Sequence, residues 1–347
     1  MTRYTDALKV KLNAINQLFI ATIVLFGLIG CTSVDIAAKS TAINEMTWQT
    51  VNTKGNLVAR HEAGLVGFND KLYLLGGRRI NPVNVFDTKT ATWTTKSASP
   101  LEIHHFQPVV FENKIYIIGA MTGRYPGEVP LKNIMIYNPS TDTWSEGDEI
   151  PEHRRRGGAG VVVYNNKIYL VGGITDGHRT GTVSWFDEYD PKTGQWRVLK
   201  DMPNGRDHFQ AAVVDNKLYA AGGRTTSQVT KQVFDLVVDE LDIYDFNTHA
   251  WSTSRSPLPT PRAGNITTAI ADQIWVIGGE SMAHKLAHHE TEIFDIKTQQ
   301  WITGPSLNLG CHGTGVAIID DHLWIASGSG NRGGSPELKN TEKLSLK

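Results

Sequence analysis

Beyond residue 45 the chain is built from short apolar runs separated by turn residues. Val109-Val110-Phe111, Val161-Val162-Val163 and Val213-Val214 are β-branched or apolar stretches too short to make a helix. Asn-Lys, Asn-Asn-Lys or Asp-Asn-Lys follows within two residues, as a tight hairpin requires, and a second apolar run such as Ile168-Tyr169-Leu170-Val171 comes next. That second run ends in a glycine pair, where a backbone turns sharply or crowds a neighbour. A further turn signal, Asp or Asn with Thr a few residues on, precedes each of a series of tryptophans. No stretch in this region holds a helical period, so the pattern predicts short antiparallel strands throughout.

The pattern also repeats. An aromatic residue followed by Asp or Asn stands seven positions before a tryptophan in five places: Phe86 to Trp93, Tyr137 to Trp144, Tyr189 to Trp196, Tyr244 to Trp251 and Phe294 to Trp301. An aromatic stands three positions before a glycine pair at Tyr73, Tyr169, Tyr219 and Trp275, with degraded copies at Tyr116 and Trp324. Six copies of the second mark thus accompany five of the first. A cassette of roughly 45–55 residues holding four short strands has the length of one propeller blade. The glycine pair, the Tyr and the spaced Trp together resemble the kelch repeat over residues 46–347. That resemblance implies an all-β, six-bladed kelch β-propeller around a central channel. The sixth copy ends without its tryptophan, and the missing piece stands at the other end, in Met46-Thr47-Trp48. Trp48 is therefore expected to complete the last blade and remove an exposed sheet edge.

Residues 1–30 read as a leader to be set aside from the fold. Arg3, Lys9 and Lys11 give a basic start, and Leu18 to Ile29 is an apolar run too short for a bilayer, which needs about 20 residues. Leu28-Ile29-Gly30-Cys31 resembles a bacterial lipoprotein signal-peptidase box. This implies cleavage before Cys31, lipid attachment to its sulfur and a flexible tether over residues 31–45. Thr32 stands where an inner-membrane retention signal would place Asp, so the expected location is the periplasm, lipid-anchored, at the outer membrane. The formal charge of -1 falls to -3 when the leader is removed, because Arg3, Lys9, Lys11 and Asp6 go with it. A mildly acidic body without a basic tract argues against nucleic acid as a partner. Cys311 is then the one remaining cysteine, which excludes an internal disulfide and a thiolate metal site.

In an alternating blade, the loop entering the first strand and the loop after the glycine pair lie on one face. Thirteen positions before each aromatic of the second mark stand Arg60, Ile103, Arg156, Arg206, Arg262 and Cys311. The next column holds His61, His104, Asp207 and His312, and the one after it Glu62, His105 and His208, with Gly or Ala in the other blades. A ring of Arg and His at the channel mouth suits an anionic or polyhydroxyl ligand, since Arg offers a bidentate fork and His can donate or accept. The same arginines would equally serve as donors to backbone carbonyls between blades. Glu280 follows Gly278-Gly279 on this face. Here the chain is similar to the sialic-acid (N-acetylneuraminate) mutarotase/epimerase branch of the kelch proteins, where a Glu after one glycine pair is the proton acceptor. That similarity carries over to Glu280 alone, with Arg156, Arg206 or Arg262 to hold a carboxylate. His284, His288 and His289, near Glu280 and Glu290, offer enough ligands for a divalent ion, but they read rather as a solvated loop, because His284-x3-His288 shares a face only in a helix. The run Gly328 to Gly333 lies between strands and is a loop rather than a dinucleotide motif. No metal or cofactor is expected.

These readings combine into a monomeric, exported propeller that binds a carbohydrate or a protein segment at its mouth. A sugar isomerase using Glu280 is one alternative. A protein-interaction scaffold using the loops 121–132 and 224–240 is another.

Overall fold

The computed structural model describes Ile43 and residues 45–347. The leader, Cys31 and nearly all of the 31–45 tether fall outside the described residues. Met46–Lys347 forms one unit in which six four-stranded antiparallel sheets succeed one another along the chain. The first blade takes Ala63–Phe68, Lys71–Gly76, Pro82–Asp87 and Thr92–Ala98. The third takes Gly160–Tyr164, Lys167–Val171, Phe186–Asp190 and Gln195–Val198. The first strands of consecutive blades neighbour one another around the axis, and that of the sixth blade, Val316–Ile319, returns to Ala63–Phe68.

The seven-residue spacing has a direct cause. Phe86, Tyr137, Tyr189, Tyr244 and Phe294 each stand opposite the tryptophan of their own copy on the outer strand. Their rings lie 4.8–5.3 Å apart as cross-strand aromatic pairs. Two residues in register across a short turn cannot drift in spacing without breaking the pair.

The sixth blade closes as its missing tryptophan implied. Trp48–Thr50 pairs antiparallel with Thr341–Ser345, with Trp48 opposite Leu344. The Trp48 indole is 4 % exposed and donates to the Pro305 carbonyl at 3.0 Å. Across the seam, Leu72, Phe86 and Trp93 of the first blade pack with Ala317, Ile319 and Trp324 of the sixth. Strands outside the repeat also form: Lys54–Gly55 runs parallel to Thr92–Ala98 and widens the first sheet to five, and Met121–Thr122 with Val129–Pro130 and Ile174–Asp176 with Thr180–Thr182 make two small hairpins.

Removing Trp48 both empties a core position and frees an outer sheet edge. Trp48→Ala should lower the unfolding free energy by about 3–5 kcal/mol, read by urea denaturation. A chain beginning at residue 55 should lose cooperative unfolding; melting like the longer protein would contradict the closure.

Candidate functional site

At the mouth of the channel the entry loops of all six blades are joined in a ring of backbone hydrogen bonds. His105 N–H donates to Glu62 O, Gly158 to His105, His208 to Gly158, Gly264 to His208 and Gly313 to Gly264, and Ala63 returns to Gly313, at 2.5–3.3 Å. Glu62, His105, Gly158, His208, Gly264 and Gly313 occupy the same column and share a left-handed φ of 54–63°. Glycine suits this conformation, and three blades have it. The other three hold Glu and two His there, at a strain of order 1 kcal/mol or more each. Their side chains are therefore directed at the axis by the backbone itself.

His178, from the hairpin after the third glycine pair, joins them. The rings of His105, His178 and His208 stand 4.8–5.0 Å apart, pair by pair. One ligand-type atom from each ring and one from Glu62 all lie within 4.8 Å of one another. Burial holds the His105 imidazole well below its usual pKa, and burial with the nearby Arg224 brings His208 to about 4. Burial likewise lowers His104, which sits one layer behind His105. Burial alone would raise the Glu62 carboxyl, but His105 and Arg78 overcome it and keep the group well below the usual range. Beneath the ring, the Gln107 side chain bridges Val161 and Ala211, and that of Gln210 bridges Thr267 and Thr314. These two amides cross the channel under the hub and leave the site open on its mouth side.

Above the hub lies a cavity of ≈ 460 Å³ whose lining includes Arg78, Arg79, Arg124, Tyr125, Arg224 and Phe234. His61, Glu62, His178 and Glu280 reach it as well. Glu280 is 4 % exposed and accepts from Arg224 Nη1 at 2.6 Å and from the Gly333 amide at 2.8 Å. Burial opposes its ionisation, yet His312, Arg224 and the Gly333 amide hold the carboxyl at about 2. His312 lies 3.4 Å from Glu280 and also meets the Asn331 and Gly333 carbonyls. Phe234 has the Arg224 guanidinium 5.0 Å from its ring centre and that of Arg332 at 5.6 Å. Arg78 is clamped between Glu62 at 2.6 Å and Glu128 at 2.5 Å. Arg124 is exposed and makes no ion pair among the described residues.

The arginine column stands elsewhere. Arg60, Arg156, Arg206 and Arg262 are 0–1 % exposed, and every side-chain nitrogen of each has an acceptor within its own blade. Arg156, for example, donates to Gly172 O, Arg154 O and Leu170 O. Arg206 donates to Ala220 O, Gly222 O, Glu240 O and the Asp242 carboxylate. The ligand-facing arrangement expected of these four residues is thus replaced by a structural clamp, with the guanidiniums turned away from the mouth. Cys311 in the same column is buried, and burial pushes its thiol up to about 12.

His61 pairs with Glu337 at 2.8 Å on the cavity wall. In the His284–His289 segment, His284 and His289 are exposed, but His288 opens a buried strand and meets Ser281 at 2.8 Å and Glu290 at 3.1 Å. Only part of that loop is therefore solvated, and a hairpin rather than a helix brings His284 beside His288. Sequence reasoning missed His178 and Arg78, and reached Arg124, Tyr125, Arg224 and Phe234 only as members of the loops 121–132 and 224–240, read as a protein-contact surface. Arg78 and Arg224 carried a signal, since each follows a glycine pair in the position that Glu280 holds.

The chain matches the family model described as Attractin/LZTR1 beta-propeller over residues 34–281, and Kelch motif over residues 261–308. It belongs to the Attractin/LZTR1 beta-propeller family. This kelch propeller is 29 % identical over 288 residues to Kelch-like protein terF of Aspergillus terreus, covering 77 % of the chain and 60 % of that protein. It is 28 % identical to Kelch-like protein 40 of Xenopus laevis over 54 % of the chain and 30 % of the relative. With alpha-scruin of Limulus polyphemus it shares 25 % identity over 74 % of the chain and 28 % of that protein. The chain thus spans less than two thirds of the length of these curated relatives. Among solved structures it is similar to that titled Structure of YjhT, with a TM-score of 0.71, 16 % identity, and coverage of 84 % of this chain and 97 % of that one. That likeness is one of fold, and the kelch propeller fold is compatible with a ligand- or protein-binding scaffold.

Glu280 gives this propeller a readable acid response. Its carboxyl is held at about 2 against an ordinary 4.5, so its contribution to stability is complete above 4.5 and is lost as pH falls toward 2. Denaturation measured across that window should show a shallower loss for Glu280→Gln than for the native chain. Equal slopes would contradict the buried ion pair.

Proposed function

We infer that the propeller uses its mouth to bind a polyhydroxyl ligand the size of a sugar. The observation that carries this is the ≈ 460 Å³ cavity in which arginine and glutamate side chains surround two aromatic rings, Tyr125 and Phe234. A cavity of that size suits a small ligand. Planar guanidiniums and carboxylates supply paired donors and acceptors to vicinal hydroxyls, and aromatic faces pack the apolar face of a sugar ring. Arg124 adds a cation that no carboxylate neutralises among the described residues, which would favour an acidic sugar over a neutral one. Glu280 is read as the group that holds Arg224 in place: an ionised carboxylate engaged by Arg224 and the Gly333 amide is a weak proton acceptor. The proposal extends to export, with the 1–30 leader removed and Cys31 lipidated so that the propeller stands in the periplasm, anchored to the outer membrane. The sequence at Leu28 to Cys31 supports that part.

Calorimetric or saturation-transfer NMR titration with a panel of neutral and acidic monosaccharides tests the binding. At least one acidic sugar should bind, and Tyr125→Ala should weaken it about tenfold. A panel that fails to bind, or a Tyr125→Ala and a Phe234→Ala protein that bind as the native one does, would overturn the reading. The mass of the mature N-terminal fragment checks the lipid separately.

A further inference from the structure

We propose that the hub beneath the mouth is a binding site for one divalent first-row transition-metal ion, held by the Nε2 atoms of His105, His178 and His208 and the carboxylate of Glu62. The inference goes beyond the sugar reading and does not depend on it.

The hydrogen bonds around the three rings fix where their protons are. His178 Nδ1 lies 3.0 Å from Glu128 Oε1, and His208 Nδ1 lies 2.5 Å from Asp207 Oδ1. An ionised carboxylate only accepts, so each of these rings carries its proton on Nδ1. The same holds for His105 by one further step. His104 Nε2 faces the Gly123 carbonyl at 3.1 Å and must donate to it, which leaves His104 Nδ1 as an acceptor. His105 Nδ1 faces that atom at 2.5 Å and is therefore the donor. In the neutral state all three Nε2 atoms are bare lone pairs, and all three point inward.

Nothing among the described residues satisfies them. His178 Nε2 and His208 Nε2 face one another at 3.2 Å, with no proton between them in this tautomer. His105 Nε2 lies 2.8 Å from Glu62 Oε1, yet the pair lacks hydrogen-bond geometry and the nitrogen is buried without a hydrogen-bond partner. Four acceptors thus converge where each repels the next. A cation at their centre converts that repulsion into coordination. Ligands at 2.0–2.1 Å in a tetrahedron lie about 3.3 Å apart; the His178–His208 and His105–Glu62 separations of 3.2 Å and 2.8 Å are close to that, and all four ligand atoms lie within 4.8 Å of one another. Three imidazoles and one carboxylate are donors for zinc, iron or cobalt rather than for magnesium or calcium.

Two further features fit a built site. Each imidazole has its outer nitrogen held by a second group, Glu128, Asp207 or His104, as metal-bound histidines commonly do. Glu62, His105 and His208 also occupy the left-handed backbone positions where the other blades hold glycine. Strain retained at three of six equivalent positions, in three of the four residues whose side chains converge, is accounted for by what those side chains hold.

The test uses the full chain, stripped with a chelator and titrated with Co²⁺ alone. About one Co²⁺ per chain should be retained through desalting, with the visible bands of four-coordinate cobalt, and Zn²⁺ should displace it. His178→Ala, in an outer hairpin, should weaken retention at least ~100-fold, more than the loss of an outer-nitrogen partner would give. His288→Ala, in the separate His284–Glu290 cluster, should leave it unchanged. X-ray absorption of the Zn²⁺-loaded native chain requires no variant to fold, and should show imidazole and carboxylate ligands at about 2.0–2.1 Å. Failure to retain Co²⁺, retention unaffected by His178→Ala, loss on His288→Ala, or a shell without imidazole would each overturn the proposal.

Discussion

The closed ring of backbone hydrogen bonds at the hub is the constraint on which the site depends. It links Glu62, His105, Gly158, His208, Gly264 and Gly313 from blade to blade, each in a left-handed conformation. A chain of donors that returns to its start cannot lengthen at one blade without loosening at another, so six entry loops are held in one register. Closeness leaves little room: a Cβ on Gly313 would lie 2.8 Å from the Glu62 amide nitrogen. Where a side chain is present in this column, it has only the axis to point along. Hub chemistry is therefore a consequence of backbone closure, and closure in turn needs Trp48–Thr50 to finish the sixth sheet.

A second set of contacts, within the blades, keeps this arrangement rigid. The buried arginines Arg60, Arg156, Arg206 and Arg262 each gather backbone carbonyls at the end of their own blade, near the glycine pair. A buried guanidinium is costly unless its donors are met; Asp187, Asp242 and Glu292 add counter-charge for three of the four, and Arg60 is met by carbonyls and the Asn84 amide. Below, Gln107 and Gln210 span the channel. Above, the residues after the glycine pairs, Arg78, Arg224 and Glu280, form the wall of the ≈ 460 Å³ cavity. The propeller thus presents two adjoining sites of different chemistry, a polar cavity on top and a converging set of nitrogen and oxygen acceptors at its floor.

The architecture was legible because strand pairing leaves periodic marks. The offset of seven from Phe86 to Trp93 is a cross-strand pair, and the lone Trp48 could be assigned to the sixth blade because that copy alone ends without its tryptophan. Columns near the axis were legible as positions, but not as directions. Whether Arg206 faces the channel or the carbonyls of its own blade depends on its rotamer, which no repeat count contains. The Glu62, His105, His208 column did carry a signal in the glycines of its other three blades, since alternation of Gly with bulky polar residues marks a left-handed backbone position. His178, Tyr125 and Phe234 lie in loops outside the repeat register, so only the folded chain brings them to the axis.

Hydrogen exchange at the hub ring tests this account most directly. The amides of His105, Gly158, His208, Gly264 and Gly313 lie in loops and that of Ala63 opens a strand, and exposed loop amides exchange fast. If the ring is closed as described, these six should exchange as slowly as the core-strand amides of Leu170 or Val276. Exchange as fast as in the exposed loop around Val229 would mean that the ring is open, and the convergence of side chains at the axis would lose its cause.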